Sequence, residues 1–241
     1  MDHSPNLSPE HLVVSGWDVF KRVPILCMGM AVVAGFFNGG GGGGGGSTGN
    51  DKIDLILLVV MLGLGCLSLI VGPPLKGGMQ LAFARLLRGD TTVTFGDMFK
   101  AFSDGQRFLN LVLANFILVG IFLVGFCLCI VPGVIALCGL FPTYLLIMED
   151  DLDAVEAIKK AWAMTDGHKG EIFLYGVVAF FLNLAGFLAC CIGIFVSAPV
   201  AELGWVKMYM ELRGPDDEED FATEEDVVYP SDDLILEDPL T

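Results

Sequence analysis

Long apolar blocks, separated by short polar or amphipathic segments, dominate the pattern of this chain. A helix of about 20 apolar residues spans the roughly 30 Å hydrocarbon core of a bilayer and satisfies its own backbone hydrogen bonds there. The pattern therefore predicts an all-α, polytopic integral membrane protein with six transmembrane helices. The predicted spans cover residues 19–37, 53–72, 108–128, 132–148, 171–190 and 192–212.

Three amphipathic segments, residues 9–22, 95–107 and 152–169, alternate with these spans. Trp17 and Trp162 suit the headgroup region, so we expect interfacial helices on the cytosolic face. The second span meets consecutive prolines at Pro73 and Pro74. There the helix either continues through a kink or breaks and lies along the surface.

Two segments are predicted to lack regular structure. The loop at 38–50 contains eight consecutive glycines, a composition typical of a flexible linker. Residues 215–241 hold twelve of the 29 acidic residues and no Lys or Arg, which predicts a disordered acidic cytosolic tail. The predicted organisation is thus a transmembrane domain over residues 1–214 followed by this tail, which either binds a partner or acts as a solvated extension.

The basic residues predict the orientation. Of the 13 Lys and Arg residues, only Lys52 falls on the side opposite the N-terminus in the six-span topology. Lys and Arg accumulate in the cytosolic loops of membrane proteins, so both termini are predicted to be cytosolic.

An internal repeat with a period near 60 residues accompanies the topology, each unit combining an amphipathic helix, an outward span and a returning span. The segment from Pro74 to Gly89 matches the segment from Pro199 to Gly214 at a constant offset of 125 residues. Each returning span has a proline near its start, at Pro74, Pro132 and Pro199. The repeat predicts three structural units.

Glu202 is the main candidate for chemistry inside the bilayer, since an ionisable group at that depth is costly. The repeat offset aligns Lys76 one residue away from Glu202, so the two could form a neutralising ion pair. A solute or proton site, or a carboxylate that reaches a wet cavity, are the alternatives. Asn115 and Asn183 are interpreted as partners in hydrogen bonds between helices.

Glycines along the spans are expected to allow close helix approach. They are Gly63, Gly65, Gly120, Gly125 and Gly186.

Other classes of site find little support. With 17% charged residues and no basic, aromatic-rich surface, the chain does not resemble a nucleic-acid-binding protein. No catalytic constellation, cofactor motif or metal-ligand spacing stands out, so we expect no enzyme. We interpret the cysteines as packing residues. A disulfide is the open alternative for those near non-cytosolic helix ends, Cys127, Cys129, Cys190 and Cys191.

Several short motifs mark the starts of the predicted helices. They are Gly16–Lys21, Arg88–Asp90, Asp97–Phe102, Val131–Gly133, Glu156–Trp162 and Thr165–Lys169. In these motifs the chain resembles a bacterial superfamily of six-span proteins of unknown function. That superfamily includes the membrane domain found beside some glycerophosphodiester phosphodiesterases. The resemblance implies a bacterial inner (plasma) membrane location. It does not carry over the phosphodiesterase activity, because residues 1–241 do not include that soluble domain, and the glycine run and acidic tail depart from the pattern.

The leading functional hypothesis is a non-enzymatic membrane scaffold that interacts with lipids or binds partners. It could form a homo-oligomer or engage a protein through the acidic tail. The alternative is a small-solute or lipid transporter or channel, with a pathway between the repeats near Glu202 and Lys76.

Overall fold

All regular structure in the described residues of the computed structural model is helical, which confirms the predicted all-α class. Those residues are 5–39, 51–128, 130–188 and 193–214. The helices are α1 (Pro9–Arg22), α2 (Pro24–Gly39), α3 (Asp51–Leu87), α4 (Lys100–Ser103), α5 (Gly105–Leu128), α6 (Ile130–Leu140), α7 (Thr143–Asp150), α8 (Ala154–Met164), α9 (Lys169–Leu188) and α10 (Ile194–Arg213). A 3-10 helix, Phe95–Phe99, leads directly into α4.

Four helical segments are long and apolar enough to cross a membrane: Ile53–Leu87, Gly105–Cys127, Pro132–Asp150 and Lys169–Leu188. A fifth is reached if α1 and α2, which are bent by 110°, form one span. Helix α10 is not among them and contains Glu202, Lys207 and Glu211. The described residues therefore have four or five helices suited to a membrane, and the sixth span stays a prediction.

Prolines have different effects in the first two predicted spans. The predicted span 19–37 is divided, because α1 continues to Arg22 and α2 begins at Pro24. Val23, with φ −137° and ψ 60°, lies outside the α region, which a following proline disfavours. Helix α3, in contrast, continues through Pro73 and Pro74 to Leu87. The continuous helix is therefore the correct alternative for the second span.

The remaining predicted segments are placed only in part. The amphipathic segment 95–107 forms the 3-10 helix and α4 before α5 begins at Gly105, and segment 152–169 forms the shorter helix α8. In the predicted loop 38–50, α2 extends to Gly39 and residues 40–50 lie outside the described residues. The acidic tail, 215–241, also lies outside them, as do Cys129, Cys190 and Cys191; Cys127 is a free thiol.

The buried core lies toward one end of the bundle, where the C-terminal half of α3 packs with α7 and α10. Phe83, Leu146 and Tyr209 are almost completely enclosed there. The N-terminal half of α3 and the outer faces of α5 and α9 expose large apolar side chains, such as Leu58, Leu123 and Phe181. Such exposed apolar faces suit contact with lipid tails better than contact with water.

The amphipathic segments pack in a consistent way against returning helices. Helix α1 packs on α10, the 3-10 helix and α4 pack on α3, and α8 packs on α7. Each segment thus contacts the returning helix that precedes it in the chain, except α1, which contacts the last one. Glycine permits the approach, since an added Cβ would lie 2.8 Å from the Val200 carbonyl oxygen at Gly16 and 2.0 Å from the Met98 carbonyl oxygen at Gly78.

Three helices also end alike. Helices α3, α7 and α10 are each followed closely by a residue with positive φ: Gly89 at 94°, Asp151 at 50° and Gly214 at 81°. A left-handed residue at this position commonly ends an α-helix, and glycine adopts it without strain. Asp151 lies 62 residues after Gly89 and 63 residues before Gly214.

Candidate functional site

A cavity of about 670 Å³ lies among α3, α5, α6, α7, α9 and α10. Its wall is mainly apolar, with Leu118, Phe122 and Phe180 among the lining residues. Its polar side chains are Lys76, Gln80, Asn115, Tyr144 and Glu202. The volume is in the range of cavities that hold small organic ligands, and an apolar wall with a few polar groups is typical of such sites.

Lys76 and Glu202 meet in this cavity. Lys76 Nζ lies 3.6 Å from Glu202 Oε1, and the two side chains are 32% and 26% exposed. The structure thus brings together Lys76 and Glu202, which the 125-residue offset places one position apart. Both lie well inside their helices, 12 residues before Arg88 and 11 before Arg213, or about 17 Å at 1.5 Å per residue.

Asn115 joins three helices beside the same cavity. The Tyr144 hydroxyl of α7 donates a hydrogen bond to Asn115 Oδ1 of α5 at 2.9 Å. Asn115 Nδ2 in turn donates to the Leu69 carbonyl oxygen of α3 at 3.2 Å. Lys76, Glu202 and Asn115 therefore share one site.

Asn183 is separate from that site and does not line the cavity. Its Oδ1 accepts a hydrogen bond from Ser197 Oγ at 3.1 Å, and its Nδ2 donates to the Ala179 carbonyl oxygen at 2.9 Å. This arrangement joins α9 to α10. Asn183 is thus a packing residue between two helices, as interpreted from the sequence.

Gln80 belongs to the cavity but was not singled out from the sequence. It is only 6% exposed, and its Oε1 has no hydrogen-bond partner among the described residues. The sequence feature that could have indicated Gln80 is its position in an otherwise apolar stretch. Gln80 follows Lys76 by four residues and therefore lies one helical turn away on the same face.

A second polar cluster surrounds Glu149, whose side chain is completely buried. Arg88 Nη1 donates to Glu149 Oε1 at 2.7 Å, and Arg213 Nη1 donates to Oε2 at 3.0 Å. The Tyr209 hydroxyl donates to the same Oε2 at 2.9 Å. Arg88 and Arg213 occupy equivalent positions at the 125-residue offset, so matching arginines hold the two oxygens of one carboxylate.

The neighbouring acids extend this cluster to two more helices. Asp150 pairs with Arg213 Nη2 at 2.5 Å and with Lys160 Nζ at 2.7 Å, while Asp151 forms a two-bond pair with Arg107. Sequence reasoning treated Glu149–Asp151 only as the end of a span. The structure shows that these acids join the ends of α3, α5 and α10 to α7 and α8.

Neither cluster combines a nucleophile, a base and an orienting group in the way that known catalytic sites do. Among the described residues, no group of three or more His, Cys, Asp and Glu side chains could hold a metal ion. The cavity instead offers an apolar wall, an internally neutralised ion pair and amide groups. This arrangement can bind a largely apolar molecule.

The comparisons with known proteins add no relative, since no family model, curated protein or solved structure matches this chain.

Proposed function

We propose that this chain is a non-enzymatic, multi-pass membrane protein that binds lipid in the cavity between its helices. The observation that carries the proposal is the mainly apolar cavity, in which the charges of Lys76 and Glu202 compensate each other. Lipid chains can occupy an apolar space among membrane helices without losing hydrogen bonds, whereas small polar solutes need more polar partners than this wall offers.

The proposed topology has six spans in three units, with α10 as the sixth span and both termini in the cytosol of a bacterium. Its support is the distribution of Lys and Arg, the equivalent packing of three amphipathic segments and the similar ends of α3, α7 and α10. The charges of α10 are compatible with a span because Glu202 is paired with Lys76 and Lys207 pairs with Glu211 at 3.0 Å. The resemblance to bacterial six-span proteins agrees with this topology.

Quenching of Trp205 tests the lipid site, because this residue lines the cavity. Trp17→Phe and Trp162→Phe together leave Trp205 as the one tryptophan. Reconstitution in lipids with brominated acyl chains should quench its fluorescence, since bromine acts at short range. Val177→Phe, which adds volume to the cavity wall, should reduce the quenching, while Leu184→Phe on the exposed face of α9 should not.

Two results would contradict the lipid site: no quenching of Trp205 by brominated chains, or equal quenching in the Val177→Phe and Leu184→Phe variants.

Transport of a small solute or lipid is the second candidate function. It is favoured by the position of the Lys76–Glu202 pair, which lies within the cavity and far from the helix ends. In proteoliposomes this function requires protein-dependent flux that Glu202→Gln lowers. Lipid binding without such flux supports the proposed lipid-binding function without transport.

A further inference from the structure

The Gln80 side chain presents an unmet hydrogen-bonding requirement inside the apolar part of the molecule. It lines the cavity, is 6% exposed, and has an Oε1 without a hydrogen-bond partner among the described residues. Buried polar atoms are nearly always paired in folded proteins, so an unpaired one calls for an explanation. An oxygen of this kind accepts hydrogen bonds, and a ligand that satisfied it would have to bring an N–H or O–H donor.

The charges beside Gln80 restrict what that donor can belong to. Lys76 and Glu202 compensate each other, so the cavity has no net charge to offer a ligand. An anionic headgroup would be attracted by Lys76 but repelled by Glu202. A cationic headgroup would be attracted by Glu202 but repelled by Lys76. Removing a charged headgroup from water also costs far more than removing an uncharged one. The site therefore favours an uncharged polar group.

The long ion pair leaves hydrogen-bonding capacity on Lys76 for such a group. At 3.6 Å, Lys76 Nζ and Glu202 Oε1 are farther apart than the 2.7–2.9 Å of a direct charge-assisted hydrogen bond. A hydroxyl group can donate one hydrogen bond and accept others, so it can donate to Gln80 and accept from the Lys76 ammonium group. The rest of the wall is apolar and matches a hydrocarbon chain.

We infer that the cavity binds an uncharged lipid with a free hydroxyl group, the hydroxyl donating to Oε1 of Gln80 while the hydrocarbon chain lies along the apolar wall. This inference rests on the proposed lipid site and adds the class of lipid. A long-chain alcohol is the smallest member of that class. Its methyl ether has the same chain and no donor, and the corresponding carboxylate has the same chain and a negative charge.

Photolabelling of the full chain in detergent separates these three chemistries. The probes are a long-chain alcohol, its methyl ether and the matching carboxylate, each with a diazirine at the same position in the chain. We expect the alcohol to label peptides of the cavity wall about tenfold more efficiently than the ether, which corresponds to about 1.4 kcal/mol. The carboxylate should label as weakly as the ether.

Two glutamine variants then assign the preference to one residue. Gln80→Met has a side chain of similar length without the carbonyl oxygen, and it should bring the alcohol-to-ether ratio close to one. Gln106→Met is the matched control, because Gln106 lies at the start of α5 and does not line the cavity. It should leave the ratio at about tenfold. If Gln80→Met does not fold, the labelling of the unaltered protein by alcohol, ether and carboxylate still tests the preference for an uncharged hydroxyl group.

Each result has a distinct meaning. Equal labelling of the cavity by alcohol and ether in the unaltered protein would overturn the hydroxyl inference but leave the lipid site intact. A carboxylate that labels as well as the alcohol would overturn the preference for an uncharged group. A ratio that persists in a folded Gln80→Met variant would remove Gln80 from the site. Absence of cavity labelling by all three probes would contradict the lipid site itself.

Discussion

Single glycines determine how closely the amphipathic segments approach the returning helices. An added Cβ at Gly78 would lie 2.0 Å from the Met98 carbonyl oxygen and 2.7 Å from its carbonyl carbon. Because both atoms belong to the backbone, no side-chain rotation can relieve the overlap. Gly63 is in the same helix, but no described atom lies within 4 Å of its added Cβ. The two glycines therefore form a matched pair for a test of packing.

Gly78→Ala should destabilise the protein by about 1–3 kcal/mol or more, because α3 and the 3-10 helix must move apart. Gly63→Ala should be neutral or stabilising by up to about 1 kcal/mol, since alanine favours the helix. Thermal unfolding of both variants in the same detergent checks the contrast. Equal midpoints would show that the close approach at Gly78 does not matter.

The Lys76–Glu202 pair can be tested by removing one partner at a time. Lys76→Ala and Glu202→Gln should each lower the free energy of unfolding by at least about 1 kcal/mol, because the remaining polar group loses its partner. Each variant should also lower expression. The double variant should cost less than the two single effects combined. Unfolding in detergent and membrane yield measure this. If each single variant behaves like the unaltered protein, the pairing is not significant.

The residues show where sequence reasoning succeeded and where it did not. Lys76 lies beside Glu202, as the sequence offset suggested. Close packing was expected at five glycines, yet Gly63, Gly65 and Gly120 have no described neighbour within 4 Å. Gly78, which does have one, was overlooked. Spacing along one helix cannot reveal which neighbour faces a glycine, because the facing residue belongs to another part of the chain.

At the scale of helices, the Glu149 cluster connects the ends of α3, α7 and α10. Arg88 directly follows α3, Arg213 ends α10, and Glu149 lies in the last turn of α7. Breaking a buried ion pair of this kind costs more stability than breaking an exposed one. The cluster therefore fixes the relative positions of these helices more strongly than any exposed ion pair in the described part of the chain.

Glu149→Gln should destabilise the protein by about 3–5 kcal/mol, the usual result of breaking a buried ion pair. Asp166→Asn is the control, because Asp166 pairs with Lys169 at 3.1 Å in an exposed turn where such pairs contribute at most about 1 kcal/mol. Denaturation in mild detergent measures both. A Glu149→Gln variant as stable as the Asp166→Asn variant would show that the cluster is not a structural requirement.

Helix boundaries were predictable to the extent that a local signal specifies them. The all-α class followed from apolar blocks whose length only lipid can accommodate. The effects of Pro24 and Pro73 were not distinguishable in advance, because proline both begins helices and kinks them. Neighbouring helices determine which of the two occurs, so the division at Val23 and the continuity of α3 required the tertiary structure.

At the scale of the whole molecule, orientation is the prediction with the widest consequences. In spheroplasts, whose inner membrane is accessible to added protease, an epitope tag after Thr241 should be protected, and a protease site inserted after Gly49 should be cleaved. This expectation rests on the Lys and Arg distribution, because the proposed six-span topology leaves Lys52 alone on the predicted outer side. Cleavage of the tag with protection of the inserted site would reverse the topology.

Helix α1 packs against α10, and this contact has a consequence for synthesis at the ribosome. Helix α10, on which α1 packs, is the last of the described helices to be translated. Helix α1 therefore cannot form this contact until nearly all of the described chain has been synthesised. During this interval its apolar face, including Leu12 and Phe20, needs temporary cover from lipid headgroups or a chaperone. Nascent chains arrested before Ile194 should therefore leave α1 open to protease, and chains arrested well beyond Gly214 should protect it.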